Sequence, residues 1–194
     1  HPSVLKFIYY SPFDFKNNPK PVIVTEFLSN GSLEEFIYKN FKTNFNMTHK
    51  LIIIYGIAAA MSYLHSHNII HRDLKPANIL LDHFLFPKVA DFGLSKNEKS
   101  ISMTSMYEIK GTPIYMAPEI WFKTEYTKAG DVYAFGIIVY ELMTNVKPFN
   151  DLNFYSLSQQ ILKGNRPNFT KQIPDAYLKL IQECWSQDPI KRPM

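Results

Sequence analysis

A single cysteine among 194 residues means that no disulfide can form within this chain. That scarcity points to a reduced, intracellular setting, with the cytoplasm as the default expectation. Cys184 stands beside Trp185 and reads as core rather than as a nucleophile. Charge of one sign is never concentrated. Net charge is +4, and no run of five like charges occurs. This argues against a dedicated nucleic-acid surface and against a polybasic membrane surface. Long apolar runs are missing too. The greasiest stretch, Leu51 to Met61, is interrupted by Tyr55 and Gly56 and is too short to span a bilayer. No internal repeat, low-complexity tract or signal peptide is evident. The start at His1-Pro2, without a methionine, reads as a fragment boundary.

The composition is that of an ordinary globular domain, 46% hydrophobic and 20% charged. Its length suits one domain with a real core. Leu5 to Tyr10 reads as a strand, Asn17 to Pro21 as a turn and Val22 to Thr25 as a buried strand closing a hairpin. Ser32 is placed to cap a helix whose first turn holds Glu34 and Glu35. Thr48 is expected to cap the next. There Leu51, Ile54, Ala58, Met61 and His65 recur at helical steps, and the helix is expected to be almost wholly buried. Short strands are predicted around Ile79–Leu81 and Lys88–Ala90, then a long polar loop from Asp91 to Glu119. Helices follow over Ala129–Met143, Asn153–Lys163 and Ala176–Trp185.

The chemistry concentrates in His71-Arg72-Asp73-Leu74-Lys75-Pro76-Ala77-Asn78. This run offers a carboxylate, then an ammonium two residues on and a carboxamide five residues on. Asp91-Phe92-Gly93 follows, and later Gly111-Thr112-Pro113-Ile114-Tyr115-Met116-Ala117-Pro118-Glu119. Each triplet alone is weak. Together, in this order and spacing, they resemble the catalytic loop, metal-binding triplet and activation-segment end of the protein kinases.

That resemblance implies roles. Asp73 would accept the proton of the substrate hydroxyl, and Lys75 would offset charge on the transferring phosphate. Asn78 and Asp91 would hold magnesium through one neutral and one charged oxygen. Thr112 would lie beside Asp73 and Lys75 and help order the acceptor. Thr25-Glu26-Phe27-Leu28 looks like the hinge that grips adenine. The backbone of Glu26 and Leu28 would make the grip, with Thr25 a small gatekeeper and Leu80 under the ring. Asp131 matches the helix residue that supports the catalytic loop, and Glu119 with Arg192 matches a buried ion pair. His71 would pack on Phe92 rather than act as a base. Arg72 would receive a phosphate carried by Ser100, Ser102, Thr104, Ser105 or Tyr107.

Lys75-Pro76-Ala77-Asn78 and Thr112 resemble serine/threonine kinases, whereas the hinge and Cys184-Trp185 resemble the tyrosine branch. The two together suggest the tyrosine-kinase-like group, acting on serine and threonine of protein substrates with ATP and Mg2+. The implied fold is α+β and protein-kinase-like, mainly the helical C-terminal lobe. Residues 1–28 would be the end of the N-terminal lobe and the hinge, and 29–194 the C-terminal lobe without its last helix. The family's Gly-rich loop, strand lysine and partner helix have no match. Truncation is therefore the expectation, with the absent N-lobe packing on this chain in the parent protein and the fragment inactive alone. The alternatives are a non-catalytic kinase-fold binding module, or tyrosine or dual specificity.

Overall fold

The computed structural model of the protein describes residues 1–39, 45–97, 111–123 and 126–194. The first element is a two-stranded antiparallel ribbon. Strand β1 (Phe7–Ser11) pairs with β2 (Val22–Thr25), Phe7 opposite Thr25 and Ser11 opposite Val22, with an irregularity between Phe7 and Tyr9. The turn between them is built on Asp14, whose carboxylate accepts from the amides of Lys16 and Asn18. The expectation that β2 is a buried strand is not met. Its residues alternate between half-buried and exposed, and Ile23 is 68% exposed. Its β-branched run covers one face only, because among the described residues no layer packs on the other.

Helix α1 (Leu33–Tyr38) starts where predicted. Ser32 accepts from the Glu35 amide at 3.2 Å, and the Glu35 carboxylate reaches back to the Ser32 amide at 3.4 Å. Helix α2 (Met47–Ser66) starts earlier than predicted. Its cap is Asn46, whose side chain accepts from His49 N at 3.0 Å, and Thr48 lies inside the first turn. Nor is α2 wholly buried. Ile53, Ile54, Ile57, Ala60, Met61 and Leu64 face the core, whereas Leu51 is 52% and Tyr55 73% exposed. The apolar face is rotated from the one that starts at Leu51, and the helix is amphipathic in packing although greasy all round. With 20 residues it is long and apolar enough to cross a membrane by those measures alone, yet its inner face packs on protein.

Strand β4 (Ile79–Leu81) pairs antiparallel with β5 (Pro87–Val89), Ile79 opposite Val89. A second small pairing, β3 (Ile69–Ile70) with β6 (Lys96–Asn97), was not foreseen; two residues are too few for a sequence period. The N-terminal segment joins β5 in parallel, with Leu5 N donating to Val89 O at 2.9 Å and Val89 N to Ser3 O at 2.8 Å. Short helix α3 (Pro118–Lys123) takes over where the polar loop was expected to end.

Helix α4 (Lys128–Thr144) is the axis of the fold, with 14 of its 17 residues buried. Ile137, Ile138, Val139 and Leu142 are fully enclosed, and each such side chain contributes about 1.5–3 kcal/mol. Helix α5 (Phe154–Leu162) is capped by Asn153, and α6 (Asp175–Cys184) packs directly on α4. A Cβ at Gly136 would lie 2.7 Å from Cys184 Cβ, so only glycine permits this approach. The core lies between α2, α4 and α6. The catalytic-loop sequence is laid over its edge.

Candidate active site

The loop after β3 is hung from α4. Asp131, in the first turn of that helix, is buried. Its carboxylate accepts from His71 N at 2.9 Å and Arg72 N at 3.0 Å. A third bond comes from His65 Nε2 at 2.9 Å, which carries the hydrogen because the carboxylate can only accept. Arg72 stands at φ +71, a conformation that a side chain rarely adopts without support. Two charge-assisted backbone bonds, one at Arg72 itself, supply that support. The His71 ring donates through Nε2 to Ala90 O, 2.9 Å away, and lies 5.3 Å from the Phe92 ring. It therefore packs as the resemblance implied.

Asp73, Lys75, Asn78 and Thr112 meet at one point. Lys75 Nζ donates to Asp73 Oδ2 at 2.7 Å and to Thr112 Oγ1 at 2.8 Å. Thr112 gives its amide and its hydroxyl to Asp73 Oδ1, both at 2.9 Å. Asn78 Nδ2 donates to Asp73 O at 2.9 Å and to Asp73 Oδ2 at 3.2 Å. Gly111 makes the approach of Thr112 possible. It sits at φ +118, and a Cβ there would stand 2.9 Å from Arg72 O.

Asp91 follows the β4–β5 ladder, which is locked to the loop by Ala90 N donating to Asn78 O at 2.9 Å. Its backbone is also left-handed, at φ +59, and its carboxylate is exposed. Both side-chain bonds of Asn78 run from Nδ2, so Oδ1 is the end suited to a cation. One amide oxygen and one carboxylate fit magnesium, a hard cation that keeps waters and phosphate oxygens as its other ligands. Among the described residues no three His, Cys, Asp or Glu side chains converge, so the donor set does not suit a protein-caged metal.

Thr25, Glu26 and Leu28 leave β2 along an open edge. The Thr25 hydroxyl donates to Glu26 O at 3.3 Å, and Glu26 N donates to Lys6 O at 3.1 Å. The Glu26 carboxylate turns back to Lys6 N at 2.8 Å and Lys88 Nζ at 3.1 Å. Leu28 O accepts from Gly31 N at 3.5 Å, and Leu81 N donates to Gly31 O at 2.9 Å. Leu80 is thereby brought beside this segment, half-buried and bridged to Ser32.

Glu119 and Arg192 form a forked pair, at 2.7 Å through Arg192 Nη1 and 2.8 Å through Nη2. Arg192 also donates to Ala129 O and Ser186 O, so it ties α3, α4 and the chain end together. The Arg72 guanidinium lies over the Tyr126 ring, 4.0 Å from its centroid. Ser100, Ser102, Thr104, Ser105 and Tyr107 lie outside the described residues. Sequence reasoning missed the role of His65 and the placement of Tyr126. His65 left a signal, a polar side chain in an otherwise apolar periodic series, but it was counted with that series.

The family model described as protein tyrosine and serine/threonine kinase matches residues 1–194. A protein of Acanthamoeba polyphaga mimivirus, named as a serine/threonine-protein kinase/receptor, is 39% identical over 178 residues, 90% of this chain and 11% of its own length. The RGS domain-containing serine/threonine-protein kinase A of Dictyostelium discoideum is 37% identical over 88% of the chain and 15% of its own length. A protein kinase and PP2C-like domain-containing protein of Arabidopsis thaliana is 34% identical over 90% of the chain and 32% of its own length. The chain thus spans between about a tenth and a third of these relatives. With its loop, triplet and ion pair in this arrangement, and with a family match along its whole length, the chain belongs to the protein tyrosine and serine/threonine kinase family.

Proposed function

We propose that the protein carrying this chain transfers the terminal phosphoryl group of ATP to serine and threonine hydroxyls of proteins. The observation that carries the reading is the Lys75 ammonium bridging Asp73 Oδ2 and Thr112 Oγ1. A lysine two residues past the carboxylate distinguishes the serine/threonine pattern from the tyrosine pattern. We read residues 1–28 as the end of the smaller lobe and the hinge, and 29–194 as the larger lobe. A reduced compartment is consistent with the lone, buried Cys184.

Asp73 has about four lone-pair sites on its two oxygens. Thr112 N and Oγ1 take two, and Lys75 Nζ and Asn78 Nδ2 take two. An incoming hydroxyl therefore displaces a donor. Lys75 is the one with a long, flexible stem and rotatable donors. Moving it from Oδ2 to the phosphate opens Asp73 to the substrate proton and puts a positive charge where negative charge develops. Thr112 and Asn78 stay, fixing the carboxylate's direction. Magnesium-bound ATP would supply the phosphoryl group, and the metal would offset charge on its phosphates. Asp91 and Asn78 Oδ1 would hold that metal. The Glu26 and Leu28 backbone would face the adenine, with Thr25 and Leu80 bordering it.

Asp73→Asn in a chain holding the complete domain tests the reading. Loss of a positioned base should lower kcat by about 10² to 10⁴-fold while the fold survives. A folded Asp73→Asn protein with near-normal turnover of a serine peptide would refute the role.

A further inference from the structure

The arginine beside Asp73 is buried against a residue that its motif does not name. Tyr126 lies just before helix α4, next to Thr127, whose side chain accepts from Gly130 N at 3.3 Å and caps the helix. Only 3% of Tyr126 and 8% of Arg72 is exposed. The guanidinium carbon stands over the tyrosine ring, 4.0 Å from its centroid. Arg72 Nε is buried and has no hydrogen-bond partner among the described residues. A buried charge is costly unless something beside it compensates. The negative face of an aromatic ring does so in part, and more strongly where water is excluded. Little room is left for another arrangement. The cavity to whose lining Arg72, Tyr126, Thr127 and Asp131 contribute is about 10 Å³, barely the space of one water.

We infer that Tyr126 is a positioning residue, whose ring seats the Arg72 guanidinium and so fixes the backbone that aims Asp73. Arg72 holds a left-handed conformation, φ +71, that relaxes unless it is restrained. Its amide donates to Asp131 Oδ1 at 3.0 Å. Its carbonyl abuts Gly111, where a Cβ would stand 2.9 Å away. Both contacts grip the backbone, and the ring adds a third hold through the side chain. Tyr126 and Asp131 stand on either side of the start of α4. The backbone and the side chain of Arg72 are therefore tied to one rigid support, and together they resist a rotation that either tie alone would allow. Asp73 is the next residue. A turn of the Arg72 backbone swings its carboxylate away from Lys75 Nζ and the Thr112 hydroxyl. The catalytic part of this inference rests on the phosphotransfer reading; the seat itself does not.

A ring that merely filled space would be replaced by any apolar side chain of similar reach. A ring that seats a cation is replaced only by another ring. The guanidinium binds the ring through its face and keeps its N–H edge for an anion. The seat therefore holds Arg72 with or without an anion at that edge.

Tyr126→Leu and Tyr126→Phe, in a chain holding the complete domain, separate filling from seating. The Arg72 Nε–H resonance, identified by its loss in Arg72→Lys, should move downfield in Tyr126→Leu as the ring current disappears, and should stay in place in Tyr126→Phe. Exchange of the Arg72 backbone amide should quicken by about tenfold in Tyr126→Leu and by no more than about twofold in Tyr126→Phe. For a serine peptide, kcat should fall roughly ten- to a hundredfold in Tyr126→Leu with KM for ATP unchanged, and Tyr126→Phe should recover most of it. Where Tyr126→Leu also lowers the urea midpoint, the double variant with Arg72→Met decides, because the two losses in kcat should not add. If the wild-type protein phosphorylates nothing yet the Arg72 resonance and amide follow the ring, the seat stands and the phosphotransfer reading falls. An unmoved Arg72 resonance in Tyr126→Leu, or a Tyr126→Phe protein as impaired as Tyr126→Leu, would overturn the inference.

Discussion

The β1–β2 ribbon and helix α4 are opposite ways of carrying functional residues. The ribbon exposes Phe7, Ile8, Tyr9, Tyr10 and Ile23, and Phe27 beyond it is 90% exposed. Helix α4 encloses nearly everything, charges included, since Asp131 and Glu141 are both buried. The groups assigned to adenine thus sit on backbone held by two strands, whereas the groups assigned to phosphoryl transfer hang from the core. A two-stranded ribbon is marginal by itself. The difference teaches that precision here is graded: the proposed reacting centre is fixed by buried and part-buried bonds, and the proposed nucleotide edge by exposed ones. Adenine recognition through backbone groups tolerates this, but in-line transfer does not.

That contrast is open to attack by substitution. Arg192→Ala should be the most damaging, because it strands Glu119 in the core and frees Ala129 O and Ser186 O as well. We expect a loss of about 3–5 kcal/mol in urea unfolding. Arg192→Lys should recover only part of it, since an ammonium cannot make the forked contact. Gly111→Ala comes next. It places a Cβ against Arg72 O at a backbone angle that disfavours side chains, and should cost about 1–3 kcal/mol. Thr112 would be pushed off Asp73, so amide exchange at Thr112 should rise even where the midpoint moves little. Ser32→Ala removes the α1 capping box and should cost about 1 kcal/mol by the same unfolding measurement. Ile23→Thr on the ribbon should change stability by no more than about 0.5 kcal/mol. A large loss at Ile23, or a small one at Arg192, would erase the distinction between the two regions.

The residues that meet at the candidate site were legible because their chemistry is packed into short runs. Asp73, Lys75 and Asn78 lie within one loop, and Thr112 stands in a motif of its own. The Asp131 and Arg192 contacts were legible by resemblance, and the structure gives them distances. What escaped was whatever depends on rotation or on a distant partner. The helix α2 reads apolar on every side, so its sequence does not say which face turns inward, and Leu51 was given the wrong one. Thr48 and Asn46 are both good caps, and only the backbone decides between them. The pairing of Ile69–Ile70 with Lys96–Asn97 is too short to leave a pattern. The bond between Tyr38 and Glu141 joins residues 103 apart, and each alone is an unremarkable residue.

The parallel stitch between Ser3–Leu5 and Val89 has a mechanical meaning. Two backbone bonds join the start of the chain to a residue only two places before Asp91. A tug on the N-terminal segment is borne by β5, together with α2 where His1 stacks on Tyr63, and β5 is the strand that leads to the proposed metal ligand. A load on residues 1–6 therefore acts on Asp91 as through a lever, by tension along a strand rather than through a pocket.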